Sequence, residues 1–70
     1  MIKTYTFFVN GNTYCTNKLI TISDLLKYFR YESGLFIIEF NNSISHEKDW
    51  SNIKINESDK IEIITIVGGG

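Results

Sequence analysis

The sequence predicts an α+β fold in which one principal helix, at about residues 22–32, packs across a mixed β-sheet. Asn10-Gly11 joins two alternating runs near the N-terminus, and a single apolar stripe of helical spacing occupies the middle. Strand-length runs rich in Ile and Phe follow it. A hairpin, then a helix, then further strands is an order that only a few sheet topologies accommodate.

Ile2 to Val9 alternates and is rich in β-branched and aromatic residues. As a strand it puts Tyr5, Phe7 and Val9 on one face and Thr4, Thr6 and Phe8 on the other. Asn10-Gly11 suits a type I′ turn, whose two central residues need positive φ, and Thr13 to Thr16 is the return strand. Thr21 then caps a helix, Asp24 three residues on completes a capping box, and Ile20 with Leu25 supplies a hydrophobic staple. Ile22, Leu25, Leu26 and Phe29 form one apolar stripe, which needs a sheet to lie on. Gly34 is expected to close the helix in the left-handed conformation. Leu35 to Phe40 is a near-continuous apolar run suited to a central strand, and Asn41-Asn42 turns the chain after it. Ile44 and Trp50 flank a polar stretch expected to be a short strand and a helical turn, with Trp50 capping one end of the core. Asn56 to Asp59 is a polar turn and Lys60 to Ile66 the last strand. A right-handed crossover makes a strand after the helix parallel to a member of the hairpin, which is the β-grasp arrangement. One domain over residues 1–66 and a flexible Gly-rich tail over 67–70 are expected.

Seventy residues hold one small core, and the single cysteine, Cys15, cannot form an internal disulfide, so packing alone must stabilise it. A formal net charge of −1 with scattered Lys and Arg argues against binding a phosphate backbone. No apolar stretch approaches the roughly 20 residues of a membrane span, and no signal-peptide pattern opens the chain. Twelve Ile and seven Asn, with no Ala or Pro, read as the bias of an AT-rich genome. The expected location is therefore a bacterial cytoplasm or a plastid stroma.

Gly68, Gly69 and Gly70 are the most informative residues. A terminal glycine run redirects no later chain; it is a thin thread ending in a carboxylate. From Val67 it reaches roughly 14 Å when extended, and without Cβ atoms it can enter a narrow channel and approach a nucleotide closely. A carboxylate is a poor electrophile, so transfer chemistry on it requires activation, typically by attack on the α-phosphate of ATP. The mixed anhydride then accepts a sulfur nucleophile and becomes a thiocarboxylate. The catalytic apparatus would sit in partner proteins, since the chain offers none. His46 has no nucleophile at a suggestive spacing and no second metal ligand. Cys15 has no basic neighbour to activate it, and Glu47, Asp49, Glu57 and Asp59 read as loop and turn residues.

The segment Ile37-Ile38-Glu39-Phe40-Asn41, then Ile44 and Trp50, then Asp59-Lys60-Ile61-Glu62-Ile63-Ile64 and the ending Val67-Gly68-Gly69-Gly70 resembles the ThiS family of thiamine-biosynthesis sulfur carriers, which have a ubiquitin-like β-grasp fold. Asn10-Gly11 and the helix start Thr21 to Leu26 fit the same pattern, and the similarity spans nearly the full chain. The resemblance implies that Gly70 is adenylylated with ATP by an E1-like adenylyltransferase (ThiF-like), with Val67, Gly68 and Gly69 recognised as the tail. It implies sulfur from a cysteine desulfurase system, delivery to thiazole synthase (ThiG-like), no bound cofactor and a free monomer. The small subunit of molybdopterin synthase and a ubiquitin-like protein modifier share this fold and chemistry. A plain β-grasp interaction module is the reading from another class. The short chain and its Ile-Glu-Ile and Gly-Gly-Gly ending favour the thiazole carrier.

If Ile61 and Ile63 face the helix, alternation turns Glu62, Ile64 and Ile66 outward. Phe8 and Ile37 are expected to share that face, giving an apolar patch beside the tail that an activating enzyme can dock on.

Overall fold

The computed structural model describes residues 2–31 and 36–66. They form β1 (Tyr5–Val9), β2 (Asn12–Thr16), α1 (Ile22–Tyr28), β3 (Phe36–Phe40), β4 (Ser43–Ser45), a single 3-10 turn (Glu47–Asp49) and β5 (Lys60–Thr65). The sheet order is β2-β1-β5-β3-β4, with β1 and β5 parallel and the other neighbours antiparallel. This is the expected mixed sheet crossed by one helix. Its middle strand is β5 and not β3, which lies one place further out between β5 and β4.

Patterning explains the packing. Phe7 and Val9 from β1, Ile38 from β3 and Ile61 and Ile63 from β5 turn one sheet face toward Ile22, Leu25 and Leu26 of α1. Ile55 and Trp50, from the long connection before β5, close the same cluster. Ile22, Ile38, Ile55 and Ile61 are the largest fully buried side chains. Trp50 is a core residue: its ring stacks on Phe36 with centroids 5.5 Å apart, and its indole Nε1–H donates to the Ser45 carbonyl at 3.1 Å.

The helix start is the capping box expected from Thr21 and Asp24. The Asp24 N–H donates to Thr21 Oγ1 at 3.1 Å, and the Thr21 N–H donates to Asp24 Oδ2 at 2.9 Å. That second bond is the main reason the Asp24 carboxyl titrates below its usual range. The other first-turn donors are also used: Ile22 N–H on the Ile53 carbonyl, Ser23 N–H on that of Trp50 and Leu25 N–H on that of Thr21.

Two local expectations need correction. The strand expected from Ile2 begins only at Tyr5, and Ile2 is exposed. The helix stops at Tyr28 instead of running to about residue 32. Its terminator is Arg30, at φ +63°, and not Gly34, which lies outside the described residues. Arg30 N–H donates to the Lys27 carbonyl and Tyr31 N–H to that of Leu26, the paired bonds of a Schellman motif with Arg30 at C′. An arginine in the left-handed region is strained by its Cβ. Arg30→Gly is therefore expected to stabilise the domain by about 0.5–1 kcal/mol, read as a higher urea midpoint at unchanged slope.

Candidate functional site at the end of β5

The site expected from the sequence begins where β5 ends, so what holds β5 determines how the tail is presented. Along β1 the main-chain ladder runs Ser58 N–H to Thr6 O, Phe8 N–H to Asp59 O and Asn10 N–H to Ile61 O, at 2.6 to 2.9 Å. Side chains extend it at both ends. Glu57 Oε1 accepts from Thr6 N–H at 2.8 Å, before the parallel pairing begins. Past the end of β1, Asn10 Oδ1 accepts from Ile63 N–H at 2.7 Å.

Asn10 therefore does two things. At φ +50°, with Gly11 at +82°, it forms the hairpin turn, and its amide oxygen replaces the next carbonyl of a strand that has already turned away.

The start of β5 is clamped as well. Asn41 Nδ2–H donates to Asp59 Oδ1 at 3.0 Å, and Lys60 N–H donates to Asn41 Oδ1 at 2.9 Å. Asp59 Oδ2 accepts from Asn56 N–H at 2.7 Å, which closes the turn before the strand. The Asn that ends β3 and the Asp that precedes β5 thus form one fastening between distant segments.

On the outer face, β5 presents Lys60, Glu62 and Ile64, while Ile61 and Ile63 are buried. Ile64, 42% exposed, lies directly opposite the half-buried Ile37. Ile66, 47% exposed, follows the last strand residue. Phe8 is half-buried on the same face, opposite Lys60. The structure thus brings Ile37 and Ile64 together beside the exit of the chain, with Phe8 nearer the start of β5. Val67, Gly68, Gly69 and Gly70 lie outside the described residues.

Two features of this face were not anticipated. Ile44 of β4 joins it, 62% exposed and paired with Glu39. Glu39 in turn sits directly across from Glu62. The tight Asn41-Asn42 turn, with φ of +51° and +72°, sets this register. Counting back from that turn places Ile44 opposite Glu39. The Glu39–Glu62 pairing depends on β3 meeting β5, which no local pattern encodes.

The remaining candidates have structural surroundings. His46 is exposed, and its carbonyl accepts from Asp49 N–H at 2.9 Å to form the 3-10 turn. Cys15 is exposed on β2, with Sγ 3.6 Å from Thr6 Oγ1. Glu57 and Asp59 are occupied by the backbone bonds already described.

The ThiS family model matches residues 7–70. The chain is 52% identical over 65 residues to the ycf40 protein of Trieres chinensis, covering 93% of this chain and 89% of that one. It is 36% identical over 50 residues to the sulfur carrier protein ThiS of Bacillus subtilis, covering 71% of this chain and 76% of that one. Among solved structures it is similar to the thiamine biosynthesis protein ThiS of Geobacter metallireducens, with a TM-score of 0.78 at 18% identity. That match covers 93% of this chain and 99% of the other, and it shows the β-grasp fold.

Proposed function

The chain belongs to the ThiS family, and from that membership we propose that it is a sulfur carrier for thiazole formation in thiamine biosynthesis, loaded at Gly70. The observation that carries this reading is the extent of the family match, which runs from the first strand through all three terminal glycines. The chain is then a protein substrate on which partner enzymes act. A bacterial cytoplasm or the plastid stroma is its proposed location.

In the proposed cycle an E1-like enzyme binds ATP and the tail together. A carboxylate oxygen of Gly70 attacks the α-phosphorus, pyrophosphate leaves, and an acyl adenylate forms. A persulfide sulfur supplied from a desulfurase attacks the carbonyl carbon and displaces AMP, and a thiol then cleaves the S–S bond of the resulting acyl disulfide, releasing a disulfide and leaving the thiocarboxylate. Thiazole synthase takes the sulfur from it. ATP is the partner's substrate, and the carrier needs no cofactor of its own. The carrier's share is geometric. A clamped β5 fixes where the thread starts, and Val67 to Gly70 span at most roughly 14 Å from there. The domain must therefore dock close to the adenylylation centre. Ile37, Ile64 and Ile66 are proposed as the part of that docking surface beside the tail, with Phe8 further along the same face, because burying apolar area is the main source of affinity such a small face can offer.

Adenylylation is tested by ATP–pyrophosphate exchange with an E1-like enzyme from the same source. The intact chain is expected to support exchange and a chain lacking Gly68 to Gly70 is not; equal exchange by both would refute the reading. Ile64→Asp is expected to raise KM for the carrier while costing less than about 1 kcal/mol of stability, since the side chain is half in solvent. Unchanged kinetics would remove this face from recognition.

A further inference from the structure

On the opposite side of the sheet, at the far edge from β4, lies an open groove of about 620 Å³ between β2 and α1. Its floor is Phe7, Tyr14, Leu25 and Phe29, and Leu19 and Tyr28 rise beside it, 49% and 76% exposed. Tyr14 is fixed there by an edge-on contact with Phe29, centroids 5.3 Å apart, and by stacking on Phe7.

The wall of this groove is a bare strand edge. Among the described residues β2 has β1 as its only neighbour. Thr6, Phe8 and Asn10 direct their N–H groups toward the β5 side, so the hydrogen-bonded pairs of the hairpin are Val9 with Asn12, Phe7 with Tyr14 and Tyr5 with Thr16. The main-chain groups of Thr13 and Cys15 therefore point outward. Sheet edges are ordinarily guarded by charge, proline, a bulge or extreme shortness. β4, at the other edge, is three residues long. β2 is five residues of Asn, Thr, Tyr, Cys and Thr, with no charge, no proline and unbroken register.

We propose that this groove takes an extended peptide segment of a partner protein, which joins the sheet as a sixth strand on the edge of β2. Strand addition draws affinity from main-chain hydrogen bonds and specificity from alternate side chains. The segment pairs with Thr13 and Cys15 and directs every second residue, aliphatic in character, onto Leu19, Leu25, Tyr28 and Phe29. Charge sets its flank. Lys18 lines the groove and Lys27 lies three residues beyond Asp24, whose carboxylate is already engaged by the Thr21 N–H. Asp24 also lines the groove, and Lys18 and Lys27 are both close enough to act on its carboxylate, so the three together leave one positive charge at the mouth, which favours an acidic residue beside the aliphatic ones. A second copy of this chain does not fit as well. Its β2 has only Asn12, Tyr14 and Thr16 on the groove side, and its Tyr14 is held against its own Phe7 and Phe29. The proposal is independent of the sulfur-carrier reading, because it uses the other face and not the tail.

The test is a titration of ¹⁵N-labelled protein with the synthetic peptide acetyl-Asp-Val-Thr-Ile-Thr-Val-amide. The expected result is amide shifts centred on Thr13, Cys15, Leu19 and Tyr28, with slowed hydrogen exchange at Thr13 and Cys15. Replacing the peptide's Asp by Lys is expected to weaken binding. Cys15→Pro deletes an outward N–H without breaking a β1–β2 bond, and is expected to weaken binding about fivefold or more, one net hydrogen bond. Shifts centred instead on Ile37 and Ile64, or unchanged exchange at Thr13 and Cys15 under saturating peptide, would overturn the proposal. So would sedimentation of the free protein as a dimer that peptide does not dissociate.

Discussion

Ile38→Ala is expected to remove much of the stability of this domain and to leave a large unfolded fraction at physiological temperature. Ile38 is fully buried on β3, faces the helix and lies across from Ile63. Truncating such a side chain loses its transfer free energy and leaves a cavity that a packed core only partly closes, together about 2–5 kcal/mol. At 0.05–0.15 kcal/mol per residue, a seventy-residue chain has only about 3.5–10 kcal/mol in total. With no disulfide among these residues, nothing covalent makes up the difference. Urea unfolding followed by circular dichroism measures the change. Ile44→Ala, on the edge strand β4 and 62% exposed, is the matched control and is expected to stay within about 0.5 kcal/mol. Comparable losses at the two positions would mean that the sheet's inner and outer faces are exchanged.

The second large effect is expected from Asn10→Ala, at about 2–4 kcal/mol. It removes the acceptor for Ile63 N–H, leaving a donor of a buried residue unsatisfied at about 1–3 kcal/mol. It also puts a Cβ-bearing residue without a stabilising side chain at φ +50°, for roughly 1 kcal/mol more. Two further variants separate the terms. Asn10→Gly relieves the backbone but not the lost acceptor, and Asn10→Asp keeps an acceptor oxygen. Stability is therefore expected to rank Asn10, then Asp, then Gly, then Ala. If Gly matched the parent, the bond to Ile63 would be worth nothing, and β5 would not be anchored in the way described. Hydrogen exchange at Ile63 is the sharper measurement, because its amide is expected to lose protection in the Gly and Ala variants alike.

These two residues also mark what a single sequence reveals. Ile38 was legible: a continuous apolar run after a helix has to be an interior strand, and alternation assigned the inward positions of β1 and β5 correctly. Asn10 was legible only in part. Its pairing with Gly11 announces the turn, whereas its bond to Ile63 joins residues 53 apart and leaves no local trace. Glu57 with Thr6 and Asn41 with Asp59 were missed for the same reason. The helix end was misjudged because the left-handed terminator is Arg30, and a glycine four positions later looked like the stronger stop. Which strand takes the middle of the sheet was also out of reach, since β5 gains that place through a parallel pairing with β1 across most of the chain. Of the candidate site, the outward phase of Ile64 and Ile66 came from alternation alone, while the facing of Ile37 and Ile64 depends on a register that only the assembled sheet sets.

The most direct test of the sulfur-carrier reading is the intact mass of the protein after incubation with an E1-like enzyme from the same source, ATP and sulfide. The account predicts a gain equal to the exchange of one oxygen for one sulfur, absent when Gly68 to Gly70 are deleted. An unchanged mass, under conditions in which the same enzyme loads another ThiS-family carrier, would contradict it.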